Sequence, residues 1–491
     1  MIPNYEDFCQ LIKDYNVIPV WEEIEVICDN PISLYQKLSR DDENTYLLES
    51  VEGGQNLARY SFIGLQPYAD FQAKGEDILI ECRGKKQQLK GNPLDVLADY
   101  MAQFKAPDLA DLPRFAGGAV GYLSYDTIRY IEKIPCSTTD DLELPDMFFT
   151  FPEHILVYDH VTLTLKIIVN LFVDEKIDPA DLYATAKKAI SRIKEKIEKV
   201  QLNVPAAFQG RKPLEIKSNF TEADFCRAVS KAKEYILAGD IFQVGLSQRF
   251  SAEIEADALS IYRALRRINP SPYMYYLNYQ KMQIIGSSPE LLICVEDKDI
   301  ITRPIAGTRP RGKTKQQDRV LEEELLRDEK ERAEHVMLVD LHRNDLGRVC
   351  EYGSVKLDKF MTIERYSHVM HIVSDIIGTL RAEVDALSAL KYSFPAGTVS
   401  GAPKIRAMEI IEELEPYRRG VYAGAVCYLS FQGNLDSCIA IRTIVLKDKT
   451  AYVQAGAGIV ADSVPEMEYQ ETKNKAGALL QALRMANGEL D

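Results

Sequence analysis

The fold class follows from one stretch in the middle of the chain, Ile241-Phe242-Gln243-Val244-Gly245-Leu246-Ser247-Gln248-Arg249. Apolar and polar residues alternate along it, with Phe242, Val244 and Leu246 as the apolar set. Successive side chains of a β-strand point to opposite faces, so this period of two predicts a strand with Gln243 on its polar face.

The residues before this strand predict a helix. Thr221-Glu222-Ala223-Asp224 resembles a capping box with Asp in the place of Glu or Gln. Apolar residues follow at helical spacing, and Gly239 is a plausible stop. Helices and strands then alternate to the C-terminus, often with short turns between strands. This order favours an α+β fold with antiparallel sheets over a doubly wound parallel sheet.

The first part of the chain is also rich in strand-like runs, such as residues 46–50, 154–158 and 166–173. An amphipathic helix is predicted from Pro179 to Val200. The proline-containing stretch after it is the best linker candidate. We therefore predict an N-terminal region over 1–202, a linker over 203–217 and a catalytic region over 218–491.

Composition excludes several classes of protein. The chain has 491 residues, 46% of them apolar and 27% charged, which is the profile of a soluble globular protein. Its net charge of −15 disfavours nucleic acid as a partner. Nine cysteines without a C-x-x-C pair, no visible signal peptide and no membrane-length apolar run predict a cytoplasmic protein with free thiols.

Two polar segments have more than one interpretation. Residues 303–312 carry three arginines, two glycines and a threonine, which suit either an anionic ligand held on a turn or a solvated loop. In residues 331–345, Glu331 and Glu334 share a helical face. They fit a Mg²⁺ site or, as composition favours, a charged outer face.

Three further segments are equally open. Residues 367–371 contain His368 and His371, and a lone histidine beside apolar residues is more often a hydrogen-bonded core residue. Glu468, Glu471 and Lys475 share a helical face, as a ligand set or a surface ion pair. Residues 456–458, Gly-Ala-Gly, are more typical of a tight turn than of a ligand cradle.

Together, several long motifs carry a specific resemblance. They are Pro304-Ile305-Ala306-Gly307-Thr308, residues 340–347 (DLHRNDLG), residues 394–404 (FPAGTVSGAPK) and Gly456-Ala457-Gly458-Ile459-Val460. In this order they resemble the chorismate-utilising enzymes, in detail the anthranilate synthase large subunits. The resemblance covers 219–486, and residues 47–50 and 59–64 extend it to the N-terminal region. It implies an α+β sandwich of two large, mostly antiparallel sheets packed together with helices outside.

The resemblance also implies a reaction and its residues. Ammonia adds to chorismate at C2, the C4 hydroxyl leaves, and pyruvate is eliminated to give anthranilate, the first committed step of tryptophan biosynthesis. Glu334 and Glu471 are implied as ligands of Mg²⁺, His371 as the group that moves a proton during pyruvate loss, and Glu290 as the acid that protonates the leaving hydroxyl. The implied substrate contacts are Gly307, Thr308, Tyr422, Arg442, Gly456, Ala457, Gly458 and Lys475.

Two positions separate relatives that use other nucleophiles. The isochorismate and salicylate branch carries a lysine base where this chain has Gln243, and glutamine cannot activate water in that way. Aminodeoxychorismate synthases usually carry a nucleophilic lysine where this chain has Ala306. Both positions favour amination at C2. Aminodeoxychorismate synthase, 2-amino-2-deoxyisochorismate synthase and an inactive tryptophan-binding regulatory subunit remain as alternatives.

Regulation and partners are implied as well. The residues that match the family's tryptophan feedback site, with their neighbours, are Glu49, Ser50, Asn269, Pro272, Tyr273, Met274 and Cys438. No cysteine lies in a G-x-C-x-G elbow, so the ammonia is expected from a separate glutamine amidotransferase small subunit in a hetero-oligomer. No nucleic-acid or membrane partner is expected.

Overall fold

The structure is a computed structural model that describes residues 1–26, 29–51, 59–174, 176–200, 213–279, 281–366 and 369–489. It confirms the α+β class. Within these ranges no helix has the length and apolar character needed to cross a membrane. The cysteines of the described ranges are free thiols, as predicted.

Helices cover the outside of the molecule and a few short ones connect strands. Their bounds are α1 (Tyr5–Leu11), α2 (Pro31–Leu38), α3 (Pro93–Met101), α4 (Pro179–Lys199), α5 (Glu222–Leu237), α6 (Ala258–Ile268), α7 (Lys315–Arg327), α8 (Glu329–Gly347), α9 (Ala386–Ser393), α10 (Gly397–Ser400), α11 (Lys404–Leu414) and α12 (Pro465–Ala486).

The strands are distributed over the whole chain. Their bounds are β1 (Val17–Glu25), β2 (Thr45–Glu49), β3 (Tyr60–Lys74), β4 (Asp77–Cys82), β5 (Lys85–Lys90), β6 (Gly118–Leu123), β7 (Met147–Asp159), β8 (Thr164–Phe172), β9 (Lys217–Ser218), β10 (Gln243–Glu253), β11 (Tyr273–Tyr279), β12 (Met282–Ser288), β13 (Leu291–Glu296), β14 (Asp299–Thr302), β15 (Ile305–Pro310), β16 (Lys356–Arg365), β17 (Val369–Thr379), β18 (Gly401–Ala402), β19 (Ala425–Ser430), β20 (Leu435–Ile439), β21 (Thr443–Lys447) and β22 (Thr450–Ile459).

Neighbouring strands pair in the antiparallel sense throughout the described chain and form two layers. The first runs β1–β8–β7–β3–β2–β11–β12–β21–β22–β10. The second runs β5–β4–β3–β7–β6–β19–β20–β13–β14–β17, with β15 and β16 also paired to β17.

The long strands β3 and β7 pass from one layer to the other. Their pairing shifts register between Pro67 and Ala69, the kind of irregularity that lets a strand bend at a corner. Side chains of one cluster, among them Tyr46, Ile155 and Ile284, pack between the layers, while two other clusters lie under the helices. The predicted sandwich of two large antiparallel sheets is therefore confirmed.

Both predicted regions of the chain contribute to both layers. Strand β2 pairs with β11, and β6 pairs with β19, so N-terminal and C-terminal strands are interleaved. Residues 201–212, most of the predicted linker, lie outside the described residues. Its last residue, Lys217, is already part of β9, where it lies opposite Ser251 of β10.

The stretch that predicted a strand forms β10, with one difference. Val244 and Leu246 pack under α5 and α11, and Gln243 lies on the opposite face, as predicted. Phe242 does not share the apolar face: it precedes the strand and is 71% exposed. The preceding helix is confirmed as α5, where Thr221 Oγ1 accepts a hydrogen bond from the amide of Asp224.

Candidate functional site

One cavity of about 670 Å³ opens between strands of both layers, β10 and β22 of the first and β15 and β17 of the second, and helices α8 and α12. It collects residues that are far apart in sequence. Every residue that the sequence predicts for catalysis, substrate or metal lines it: Gln243, Glu290, Gly307, Thr308, Glu334, His371, Tyr422, Arg442, Gly456, Ala457, Gly458, Glu471 and Lys475.

Two paired strands form the floor of this cavity. Gly245 of β10 lies opposite Gly458 of β22, and the Gly-Ala-Gly motif therefore belongs to a strand and not to a tight turn, which corrects that alternative. A Cβ on Gly456 would come within 2.7 Å of the Tyr422 hydroxyl, and one on Gly458 within 2.4 Å of Gln243 Nε2. The glycines are needed because neighbouring side chains fill the space beside them.

A bulge in β15 positions the predicted catalytic histidine. Gly307 has φ +66°, and the register against β17 shifts between Ala306 and Thr308. The Gly307 carbonyl accepts a hydrogen bond of 2.9 Å from His371 Nδ1, and Thr308 Oγ1 lies 3.1 Å from the same nitrogen. Burial lowers the pKa of His371. The neutral ring with its proton on Nδ1 keeps a lone pair on Nε2, which suits a base.

The three arginines of residues 303–312 are paired with carboxylates, whereas Gly307 and Thr308 of the same segment line the cavity, so an anionic ligand at this segment stays a prediction for those two residues. Residues 305–310 form a strand, and each arginine is held by carboxylates. The ion pairs are Arg303 with Glu364 and Asp375, Arg309 with Glu324, Asp328 and Glu331, and Arg311 with Asp318. The loop alternative fails, because the pairing with β17 orders the segment.

Carboxylates line the wall formed by α8 and α12. Glu334 of α8 lines the cavity together with Glu468 and Glu471 of α12, so the charged outer face expected from composition does not describe it. Burial, followed by the like charge of Glu331, raises the pKa of Glu334. A cation would relieve this cost.

The donor set fits Mg²⁺. The described residues hold no preformed cluster of three or more His, Cys, Asp or Glu ligands. Mg²⁺ is commonly held by one or two carboxylates and completes its shell with water and substrate oxygens. Glu334 and Glu471 are the residues that could hold it, with water and a substrate carboxylate completing its shell.

Two cations lie on the same lining. Lys475 Nζ is 2.7 Å from Glu471 Oε1 and donates to the Gly456 carbonyl at 3.1 Å. Arg442 Nη1 donates to the Lys475 carbonyl at 2.7 Å, and no carboxylate within the described ranges pairs with it. Burial lowers the pKa of Arg442. A buried guanidinium without a counter-ion is suited to a ligand carboxylate.

Glu290 is the most perturbed acid of the cavity. It is buried directly after β12, and Oε1 has no hydrogen-bond partner. Burial raises the pKa of Glu290 to about 7, against the opposing influence of the Thr398 hydroxyl and the Lys475 ammonium. The carboxyl group can therefore hold a proton near neutral pH, as a general acid requires.

This burial predicts a pH-dependent gain in stability for Glu290→Gln. The unfolded carboxyl ionises near pH 4.5, while the folded one stays protonated until pH 7, so the native state loses stability as pH rises between these values. Glutamine removes this cost, on the order of 3 kcal/mol above pH 7 and close to zero below pH 4.5. Urea unfolding at pH 5 and pH 8 measures it. Equal shifts at both pH values, or the same result for exposed Glu253→Gln, would contradict the prediction.

Helix α8 carries two histidines, His335 and His342, that pack in the core and do not line the cavity. His335 Nε2 lies 2.6 Å from Ser374 Oγ, and His342 Nδ1 lies 2.7 Å from Thr302 Oγ1. Burial lowers the pKa of His335 to about 4 and that of His342 to about 3, so both are neutral core residues. His368 lies outside the described residues.

Sequence reasoning missed several residues of the cavity lining. Lys330 precedes Glu334 by one helical turn, a spacing that alone puts both on one face of α8. Thr398 lies within the motif at 394–404, but the motif did not predict a function for it. Glu468 shares a helical face with Glu471 and Lys475, but only those two were predicted as site residues. Gln454 and Asn474 carried no signal in the sequence.

The residues predicted for tryptophan group elsewhere, around β2, β11 and β20, and none lines the cavity. Buried Glu49 accepts a hydrogen bond of 2.5 Å from the Tyr262 hydroxyl and pairs with Arg266 at 3.2 Å. Met274 lies opposite Glu49 in the ladder between β11 and β2. Ser50 directly follows β2, and Pro272 directly precedes β11.

The remaining members of that set lie close to the strand that leads to Glu290. Asn269 Nδ2 donates to Ser287 Oγ at 2.8 Å, and the Tyr273 hydroxyl donates to Asp436 Oδ1 at 3.0 Å. Cys438, fully buried, lies opposite Leu291 of β13. Their role in binding tryptophan stays a prediction.

Comparison with known proteins gives a consistent result. Residues 43–481 match the family described as chorismate binding enzyme. The chain is 52% identical to anthranilate synthase component 1 of Acetivibrio thermocellus over 99% of both chains. It is 48% identical to the Aquifex aeolicus protein of the same name over 98% of both.

Solved structures agree with the sequence relatives. Anthranilate synthase component I from Streptococcus pneumoniae superposes with a TM-score of 0.77 at 39% identity, over 93% of this chain and 99% of that one. The menaquinone-specific isochorismate synthase of Escherichia coli shares the fold, with a TM-score of 0.71 at 20% identity over 98% of both chains. The chain therefore belongs to the chorismate binding enzymes, within the group of anthranilate synthase component 1 proteins.

Proposed function

We propose that this protein converts chorismate and ammonia to anthranilate and pyruvate in a Mg²⁺-dependent reaction of tryptophan biosynthesis. The observation that carries the proposal is one cavity in which a half-buried guanidinium with no carboxylate partner among the described residues, a wall of carboxylates, a neutral histidine and a protonated acid meet. The guanidinium suits the substrate carboxylate, the carboxylates suit the metal ion, and the histidine and the acid suit the two proton transfers. The component 1 relatives support the same activity.

Binding of chorismate, a dianion, needs local positive charge in an acidic protein. Arg442 and Lys475 provide it on one side of the cavity. Strand β21 pairs with β22 only as far as Val453, so the backbone edge at residues 456–458 is not covered by β21. Amide groups of this edge can donate to a substrate carboxylate, because the glycines let it approach closely.

Glu334 and Glu471 would hold the metal ion. Bound Mg²⁺ neutralises a ring carboxylate and orients it as a Lewis acid. Lys475 Nζ pairs with Glu471 at 2.7 Å, and both side chains lie on the cavity lining. The raised pKa of Glu334 predicts that metal binding weakens at low pH, because the ligand must be deprotonated.

Proton transfer is assigned to two residues. Glu290 donates a proton to the departing C4 hydroxyl, which then leaves as water. His371 Nε2 then accepts the ring proton as pyruvate is eliminated, while its Nδ1–H remains on the Gly307 carbonyl. The nucleophile is ammonia, because neither Gln243 nor Ala306 can activate water or form a covalent bond.

Tryptophan feedback has a structural rationale. Tyr273 lies opposite Ser288, two residues before Glu290, and the Ile439 amide donates to the Glu290 carbonyl at 3.0 Å. A ligand held by Tyr273 and Cys438 would therefore act on the segment that carries the acid. Coupling of this kind is reciprocal, so chorismate is expected to oppose tryptophan.

The purified full-length chain tests the proposal. With chorismate, Mg²⁺ and an ammonium salt at mildly alkaline pH, we expect fluorescent anthranilate. We expect none with glutamine alone, because a separate amidotransferase supplies ammonia. EDTA and Glu334→Gln should remove activity, and tryptophan should lower it. Formation of 4-amino-4-deoxychorismate, isochorismate or only 2-amino-2-deoxyisochorismate would overturn the assignment.

A further inference from the structure

A fully buried ion pair lies behind the cavity wall without lining it. Arg419 Nη2 is 2.6 Å from Glu415 Oε1, and the two side chains are 2% and 3% exposed. Arg419 Nε also donates to Glu415 Oε2 at 2.9 Å. Such a pair is costly to desolvate and is weak evidence for stability, which leaves its purpose open.

Besides Glu415, Arg419 stacks on the buried ring of Tyr125, with its guanidinium carbon 4.7 Å from the ring centre, and makes three contacts that lead to the cavity. Nη1 donates to the Val399 carbonyl at 2.7 Å and Nη2 to the Gly245 carbonyl at 2.6 Å. Its guanidinium carbon lies 5.7 Å from the centre of the Tyr422 ring. Gly245, Val399 and Tyr422 line the cavity. One planar group thus joins three separate parts of the wall.

Glu415 extends this network to a fourth part of the wall. Its Oε1 accepts from the amide of Ser247 at 2.8 Å and from its hydroxyl at 2.9 Å. The same hydroxyl accepts from Gln454 Nε2 at 2.9 Å, and Gln454 also lines the cavity. Neither Arg419 nor Glu415 itself lines the cavity.

The close approach of β10 and α10 explains why a planar fork is needed. A Cβ on Gly245 would lie 2.8 Å from the Val399 oxygen, and the carbonyl groups of both residues accept from the one guanidinium. Arg419 satisfies both from a rigid geometry. Val399 follows Thr398, which lines the cavity together with Glu290.

We propose that Arg419, oriented by Glu415, is a positioning residue that clamps residues 397–400 onto β10 and so holds Thr398 against the acid Glu290. The inference rests on the proposed function for its effect on rate. Arg442 and Lys475, the two cations assigned to the substrate carboxylates, lie outside the network. Arg419→Lys keeps the charge but replaces the planar fork by a point donor, and is expected to lower kcat at least about tenfold with the KM for chorismate within about twofold.

Arg129→Lys is the matched control. Arg129 pairs with Glu412, on the same helix that leads to Glu415, and donates to the Pro135 carbonyl, but it does not line the cavity. The control should lose comparable thermal stability while its kcat stays within about twofold of the wild-type value. Equal losses of kcat per folded molecule in both variants would overturn the proposal.

Hydrogen exchange gives a readout that does not depend on the reaction. In Arg419→Lys, amides of residues 397–402 should exchange faster, with β21 and β22 unchanged, and Arg129→Lys should show no such change. Unchanged exchange at 397–402 would overturn the clamp.

If Arg419→Lys fails to fold, Ser247→Ala removes the hydroxyl that joins Glu415 to Gln454. It should reproduce a smaller fall in kcat, and an unchanged kcat would overturn the network. Failure of the wild type to make anthranilate overturns only the proposed function.

Discussion

An enzyme that carries His371→Met is expected to add ammonia to chorismate but not to release pyruvate. Methionine fills a similar volume and has no titratable nitrogen, so the base that takes the ring proton is lost. General base catalysis contributes about 10²–10⁴-fold to a rate, and anthranilate formation should fall by that factor. Amination uses Glu290 and should survive, so 2-amino-2-deoxyisochorismate should accumulate.

Chromatography of the reaction products, alongside anthranilate fluorescence, measures both half-reactions. His160→Gln is the control, because His160 lies 2.7 Å from Ser61 Oγ and does not line the cavity. It should leave product distribution unchanged. Equal loss of amination and elimination in His371→Met would contradict the assigned role and point to a general disturbance of the bulge at Gly307.

Replacement of Arg442 by methionine should separate substrate binding from stability. Removing one member of a buried charge pair costs roughly 2–5 kcal/mol in binding, so kcat/KM for chorismate should fall at least about thirtyfold. The free enzyme should keep its melting temperature or gain slightly. Its buried guanidinium has no carboxylate partner among the described residues, and burial already lowers the pKa of Arg442.

Arg311→Met is the matched control for this prediction. Arg311 pairs with Asp318 and does not line the cavity, so its loss should leave kcat/KM unchanged while slightly lowering the melting temperature. Steady-state kinetics measures kcat/KM and thermal unfolding measures the melting temperature of both variants. A large drop in melting temperature for Arg442→Met would show that the guanidinium serves the fold and not the ligand.

Local patterns were sufficient for much of the fold. The period of two in residues 241–249 predicted β10, and capping at Thr221 and the stop near Gly239 predicted α5, because these signals depend on neighbours within a few residues. The resemblance then identified residues that line the cavity. It did so because the motifs are long and occur in order, not because any one segment was diagnostic.

Other features depended on contacts that no local pattern encodes. The arginines at 303, 309 and 311 have the composition of an anion site, but their carboxylate partners come from α7, α8, β16 and β17 and neutralise them. Gly456 to Gly458 have the composition of a turn, but pairing with β10 makes them a strand. Arg419 carried no signal at all, because its carbonyl partners are remote in sequence.

The sequence by itself determined the elements, the α+β class, the family and the residues to examine. The tertiary structure alone decided which charges are free. Arg309 is paired with three carboxylates, whereas Arg442, which carries the same charge, is half-buried and has none within the part of the chain that the structure describes. The physical reason is that a side chain's pKa and its availability to a ligand depend on burial and on partners that are brought within a few ångströms only when the two layers and their helices close around the cavity.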